Sequence, residues 1–133
     1  MKQNLFKKSL LFILCLVAAG LGQSNIVLAQ ASKTPASIVA LNTDSSGSES
    51  AVVTIESSHP VQYTAFKLLN PLRLVLDFPN MQKGSLSGKM QVNKGLVDSI
   101  RPLHFEEVGV LRLEIELNKA ADYEIQKPDK NTL

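Results

Sequence analysis

Four charged side chains have the type and spacing to do chemistry: Arg73 and Asp77 within the run Arg73-Leu-Val-Leu-Asp77, then Arg101 and Arg112 further along. An arginine presents its N–H donors as a flat fork that matches a carboxylate in two places, so a strand face carrying several of them suits carboxylate or carbohydrate recognition. Arg73 and Asp77 share a face of an extended strand but sit about 13 Å apart at roughly 3.3 Å per residue. They cannot pair with each other, and each needs a cross-strand partner, a backbone group, solvent or a ligand. Two readings stay open. One is cross-strand ion pairing on an antiparallel sheet, worth a few tenths of a kcal/mol; the other is a polar sheet face that binds a ligand through Arg73, Asp77, Arg101 and Arg112.

Catalytic chemistry has little to start from. The two histidines, His59 before a proline and His104 beside Phe105, have no Cys or His partner at metal-ligand spacing. There is no Gly-x-Ser-x-Gly elbow and no glycine-rich phosphate loop. The acidic pairs Glu106-Glu107 and Glu114/Glu116 read as solvated carboxylates, the first in a turn and the second on the polar face of a strand. The expectation is a chain with no catalytic residue, no metal site and no cofactor.

The elements that position these residues begin after an address segment. Lys2, Lys7 and Lys8 precede the apolar run Leu10–Leu21, and small and polar residues follow up to Ala29-Gln30-Ala31. That order reads as a helical secretory signal peptide over residues 1–31, cleaved after Ala29 or Ala31. The apolar run of twelve residues is short for a hydrocarbon core that needs about 20, so no integral membrane span is expected after cleavage. Processing removes three of the 14 Lys+Arg and none of the 12 Asp+Glu, which leaves a net charge of −1 and argues against nucleic acid as a partner. Cys15, the single cysteine, follows Leu14 in mid-run, unlike a lipoprotein cysteine, and leaves with the signal. Stability must then come from packing alone.

Beyond Ser32 the hydrophobic period is 2 rather than 3.6, and turn signals recur between the periodic runs. Leu72, Leu74, Leu76 and Phe78 share one face opposite Arg73, Val75 and Asp77; Leu111, Leu113, Ile115 and Leu117 share one opposite Arg112, Glu114 and Glu116. Ala51–Glu56 and Tyr123–Gln126 alternate likewise, Val97–Arg101 reads as a further strand, and Ser37–Leu41 is apolar on both faces, as in a covered strand. Val61 and Tyr63 lie on the face opposite to Phe66 and Leu68, which a bulge near Ala65 or a crossover between sheets would reconcile; the crossover is favoured. The polar stretch Asn42–Ser50 reads as a loop, Lys83–Lys89 as a longer connection, and Asn70-Pro71 and Asn93-Lys94-Gly95 as turns, Gly95 supplying a positive φ. The sequences Arg73-Leu-Val-Leu-Asp-Phe and Arg112-Leu-Glu-Ile-Glu-Leu echo one another, as two related half-domains or simply two amphipathic strands would. The expected fold is an all-β, two-sheet β-sandwich of about 7–8 short, mainly antiparallel strands. Residues 32–36 form its lead-in, 37–126 the domain, and 127–133 a polar tail without fixed structure or the start of a linker.

Asn70-Pro71-Leu-Arg73-Leu-Val-Leu-Asp77-Phe-Pro79, then Val92-Asn-Lys-Gly95-Leu-Val-Asp-Ser99-Ile100-Arg101, then Val110–Leu117 and Tyr123-Glu-Ile125 together resemble the AMIN domain. That family is named for the N-terminal targeting region of periplasmic cell-wall amidases and also occurs at the N-terminus of type IV pilus secretins. The resemblance spans Ser37 to about Gln126, with Asn70, Pro71, Arg73, Asp77, Gly95, Ser99, Ile100 and Arg101 at its signature positions. It implies a non-catalytic β-sandwich in the periplasm of a Gram-negative-type bacterium that binds peptidoglycan and localises itself or its host protein. It also implies, as an alternative, a protein–protein module of a pilus or secretin assembly, with an amidase or secretin region in the same or another chain as partner.

Overall fold

The computed structural model describes residues 34–133. The signal peptide, its cleavage positions, Cys15 and the first lead-in residues lie outside that range. Eight strands follow one another: β1 (Ala36–Asp44), β2 (Val52–Ser57), β3 (Thr64–Leu69), β4 (Leu72–Pro79), β5 (Met81–Gln82), β6 (Met90–Lys94), β7 (Val97–Phe105) and β8 (Val110–Leu117), with one 3-10 turn at Glu106–Val108. They make a three-stranded sheet in the order β2-β1-β5 and a five-stranded sheet in the order β3-β4-β8-β7-β6. Every pairing is antiparallel except the short one between β1 and β5. Among the described residues no helix is long and apolar enough to cross a membrane.

Period-2 alternation explains how the sheets meet. Leu76 and Phe78 of β4, Ile100 of β7 and Leu111, Leu113 and Ile115 of β8 point from the five-stranded sheet into a shared core with Ile38 of β1 and Ile55 of β2. Each such side chain taken fully out of water contributes about 1.5–3 kcal/mol. The opposite positions of β4 and β8 face outward, so the alternation places the polar residues as well as the core.

Several expectations need correcting. The chain does cross between sheets before Thr64, but the crossover does not turn Phe66 and Leu68 inward. Ala65 faces Leu76 across the β3–β4 pairing, while Phe66 faces Val75 on the outer side. β1 runs on to Asp44, which shortens the polar loop, and its Val39 is exposed rather than covered. β5, two residues long, emerges only through its pairing with β1, and β6, paired with β7, carries a short alternation in which Met90 and Val92 pack against the core. The two echoing segments are adjacent strands of one sheet, β4 paired with β8, rather than equivalent strands of two halves.

The C-terminal segment differs most. Tyr123–Gln126 forms no strand, although Ile125 packs against the core. The residues read as an unstructured tail are instead docked along β2: Leu133 exchanges backbone hydrogen bonds with Ile55 at 2.8 and 3.0 Å, and the Ser57 N–H donates to the Asn131 carbonyl at 2.9 Å. This covers the row of backbone groups that the β2 edge would otherwise leave unpaired. Polar composition hid the docking because backbone hydrogen bonds make much of it, helped by Leu133 packing against the core and by Lys127 Nζ donating to the Val61 carbonyl at 2.6 Å. At the other end, the edge of β3 carries Leu69, 76% exposed. Leu69→Lys is expected to change stability by under about 0.5 kcal/mol, as for an uncommitted surface position, measured by denaturant unfolding.

Candidate functional site

Register, not sequence proximity, assembles the outer face of the five-stranded sheet. Across β4 and β8, Asp77 lies opposite Arg112, Val75 opposite Glu114 and Arg73 opposite Glu116; across β8 and β7, Glu114 lies opposite Arg101 and Glu116 opposite Ser99. Arg73, Asp77, Arg101 and Arg112 therefore share one surface, and each finds a cross-strand partner.

Glu114 is the hub. Its Oε2 accepts from Arg73 Nη1 at 3.1 Å and from Arg101 Nε and Nη2 at 3.2 and 2.5 Å. The Glu114 side chain is 9% exposed, that of Arg73 20% and that of Arg101 47%, so Arg101 is the member most open to solvent. Burial works to raise the Glu114 pKa, but the hydrogen bonds and charges of Arg101 and Arg73 together outweigh it and hold the carboxyl below its ordinary range. The Arg73 Nε is buried and has no hydrogen-bond partner. Beside the hub, Glu116 Oε2 accepts from Lys89 at 2.9 Å and from the Ser99 hydroxyl at 2.9 Å, and these two bonds lower its pKa. Four cations (Arg73, Arg101, Arg112 and Lys89) thus meet three carboxylates (Asp77, Glu114 and Glu116).

The second feature of the face is a stacked platform. Arg112 donates from Nε and Nη2 to the two Asp77 oxygens at 2.7 and 2.8 Å, a bidentate pair that raises the Arg112 pKa. Its guanidinium carbon also lies 5.5 Å from the ring centres of both Phe66 and Phe105. Within about 6 Å a guanidinium is attracted to an aromatic face, which covers Phe66 without removing it from the polar side. Val75, fully buried although it is not part of the core, lies under this surface beside Phe66 and Glu114 in the register.

Sequence reasoning missed Glu114 as a hub, and missed Phe66 and Phe105 as outer-face residues. Glu114 shares strand parity with Arg112, a usable signal, but only the β4–β8–β7 register says which arginines it meets. Among the described residues, no group of three or more His, Cys, Asp or Glu is placed to hold a metal ion.

The family model of the AMIN domain matches residues 39–133. The chain belongs to the AMIN-domain family. AMIN domains are non-catalytic modules known for binding and targeting to peptidoglycan, and they occur in periplasmic proteins. No curated protein and no solved structure matches the chain.

In this AMIN domain the signature positions divide by what they touch. Arg73, Asp77 and Arg101 lie on the outer face, and Ser99, buried, holds Glu116 there. Ile100 points the other way, into the core. Asn70 and Pro71 make the β3–β4 turn, joined by a cis peptide bond. Gly95, at φ +54°, makes the β6–β7 turn, and that turn packs so tightly on Ser50 that a β-carbon would overlap the Ser50 carbonyl oxygen. Gly95 thus serves a close approach between loops as well as a positive φ.

Proposed function

We propose that the chain is a periplasmic, non-catalytic module that targets itself or its host protein to peptidoglycan through the outer face of the five-stranded sheet. The observation that supports this reading is the arginine-rich face itself: Arg101, Arg73 and Arg112 gathered on one surface with more cations than carboxylates. The peptide stems of the wall polymer carry carboxylates, and an exposed guanidinium can exchange part of its internal pairing for one of them. The net gain per contact is small, because water hydrogen bonds are given up in the exchange. Affinity then depends on many sites along the polymer.

Sedimentation with purified insoluble peptidoglycan tests this. The protein is expected in the pellet at low salt and progressively in the supernatant as salt screens the pairs. Complete recovery in the supernatant at low salt would overturn the reading. Arg101→Ala is expected to lower the bound fraction several-fold while costing under about 1 kcal/mol of stability, since a half-exposed pair contributes little. Unchanged binding by the folded variant would remove the arginines from the site.

A second reading, docking onto a secretin region of a type IV pilus assembly, is favoured by one observation. β3 is an edge strand with the exposed Leu69 at its end, and open strand edges accept an added strand from a partner. Co-purification with a secretin region that is lost on placing a proline in the middle of β3 would support it.

A further inference from the structure

Both histidines of the chain, 45 positions apart in sequence, line one cleft at the end of the sandwich. Its walls include His59, Pro60 and Gln62 from the crossover, Asn80 just before β5 and Gln82 within it, and His104 and Glu106 where β7 ends. The cleft is wide open to solvent and has a volume of about 870 Å³, within the roughly 300–1,000 Å³ of small-ligand sites. Its chemistry is unlike that of the arginine face. Among the described residues the polar part of the lining is the Thr34 hydroxyl, amides, imidazoles and one carboxylate, with no Lys or Arg, set among apolar Pro35, Ala36 and Met81, a combination suited to hydroxyl, amide and methyl groups.

Two details prepare the cleft for a ligand. The His59 ring is oriented by a 2.9 Å hydrogen bond between its Nδ1 and the Ser58 hydroxyl, which leaves Nε2 available. The side-chain amides of the exposed Gln62, Asn80 and Gln82 make no hydrogen bond to other described residues, so a ligand competes only with water for them.

We infer that this cleft is a subsite for a neutral N-acetylated saccharide, an inference that rests on the wall-binding reading and adds a glycan contact separate from the arginine face. The polymer would then be read at two places by two chemistries: stem carboxylates on the arginines, sugar hydroxyl and acetamido groups in the cleft.

The test is a titration of the purified protein with an N-acetylglucosamine tetramer, which carries neither peptide nor charge, followed by backbone and imidazole NMR shifts. Shifts are expected at His59, Asn80, Gln82 and His104, saturating at millimolar ligand. The exposed-site variant Gln82→Ala should weaken the tetramer about fivefold, and so should His104→Ala, whereas Arg101→Ala should leave it unchanged. Absence of shifts, or shifts confined to the arginine face, overturns the cleft assignment. A soluble stem peptide that fills the cleft in place of the sugar overturns it too. Retained sedimentation with peptidoglycan in any of these cases shows that the cleft inference alone has failed, and loss of sedimentation by the unmodified protein shows that the wall-binding reading has failed.

Discussion

Glu114→Gln is expected to destabilise the fold by about 2–3 kcal/mol at neutral pH and, at low salt, to bind peptidoglycan more tightly than the unmodified protein. The stability loss follows from the hub geometry. One carboxylate oxygen accepts three hydrogen bonds from two guanidinium groups, and neutralising it leaves those charges without their counterion. Removing one partner of a well-buried pair costs about 3–5 kcal/mol. Here Arg73 is mostly buried while Arg101 is half exposed and contributes only tenths, which brings the estimate down.

The sign of the pH dependence is fixed by the same contacts. The folded-state pKa of Glu114 lies below its ordinary value, so its contribution is complete above the unfolded pKa, about 4.3, and is lost as pH falls from there through the folded value. The stability difference between the unmodified protein and Glu114→Gln should accordingly shrink below about pH 4.3, and urea unfolding at pH 7 and pH 3 measures it. The gain in binding is the functional counterpart, because Arg73 and Arg101 no longer have an internal carboxylate competing with the wall. Weaker binding by the folded variant would mean that Glu114 presents the arginines to the ligand rather than competing for them.

Gly95→Ala is expected to cost about 2–5 kcal/mol, read as a lower denaturant midpoint at unchanged slope. About 1–2 kcal/mol comes from holding an L-residue at positive φ. The rest comes from overpacking, typically 1–3 kcal/mol, because the new methyl would overlap the Ser50 carbonyl oxygen and lie 2.9 Å from Ser45 Cβ. The turn cannot easily move away. Lys94 Nζ ties it to the Thr43 carbonyl at 2.9 Å, and Asn118 Nδ2 ties the Gly95 carbonyl to the chain leaving β8 at 3.0 Å. Gly88→Ala is the control: φ is +33° there, but nothing lies within 4 Å of the added carbon. It should show the backbone cost alone, and equal losses at the two positions would refute the close-approach argument.

Much of the scaffold was legible without coordinates. The alternation in Leu72–Phe78 and Leu111–Leu117 identified two strands and both of their faces, and Arg73, Asp77 and Arg112 were assigned to the polar side on parity alone. The same alternation was of no use for β5, two residues long, and in β6 it amounts to only Met90 and Val92, too short a run to stand out. It misjudged Phe66, whose outward position is tolerable because Arg112 lies over the ring.

Side-chain direction along a strand is a local property: successive residues point to opposite faces whatever the strand pairs with. The sequence by itself therefore determined the all-β class, the division of residues between core and surface, and the arginines that would share a face. Pairing is different, because the groups that pair are backbone N–H and C=O, nearly identical at every position, and register is chosen by the packing of the whole sandwich. Only the tertiary structure could place Glu114 between Arg73 and Arg101, bring His59 and His104 into one cleft, and lay Asn131–Leu133 along β2.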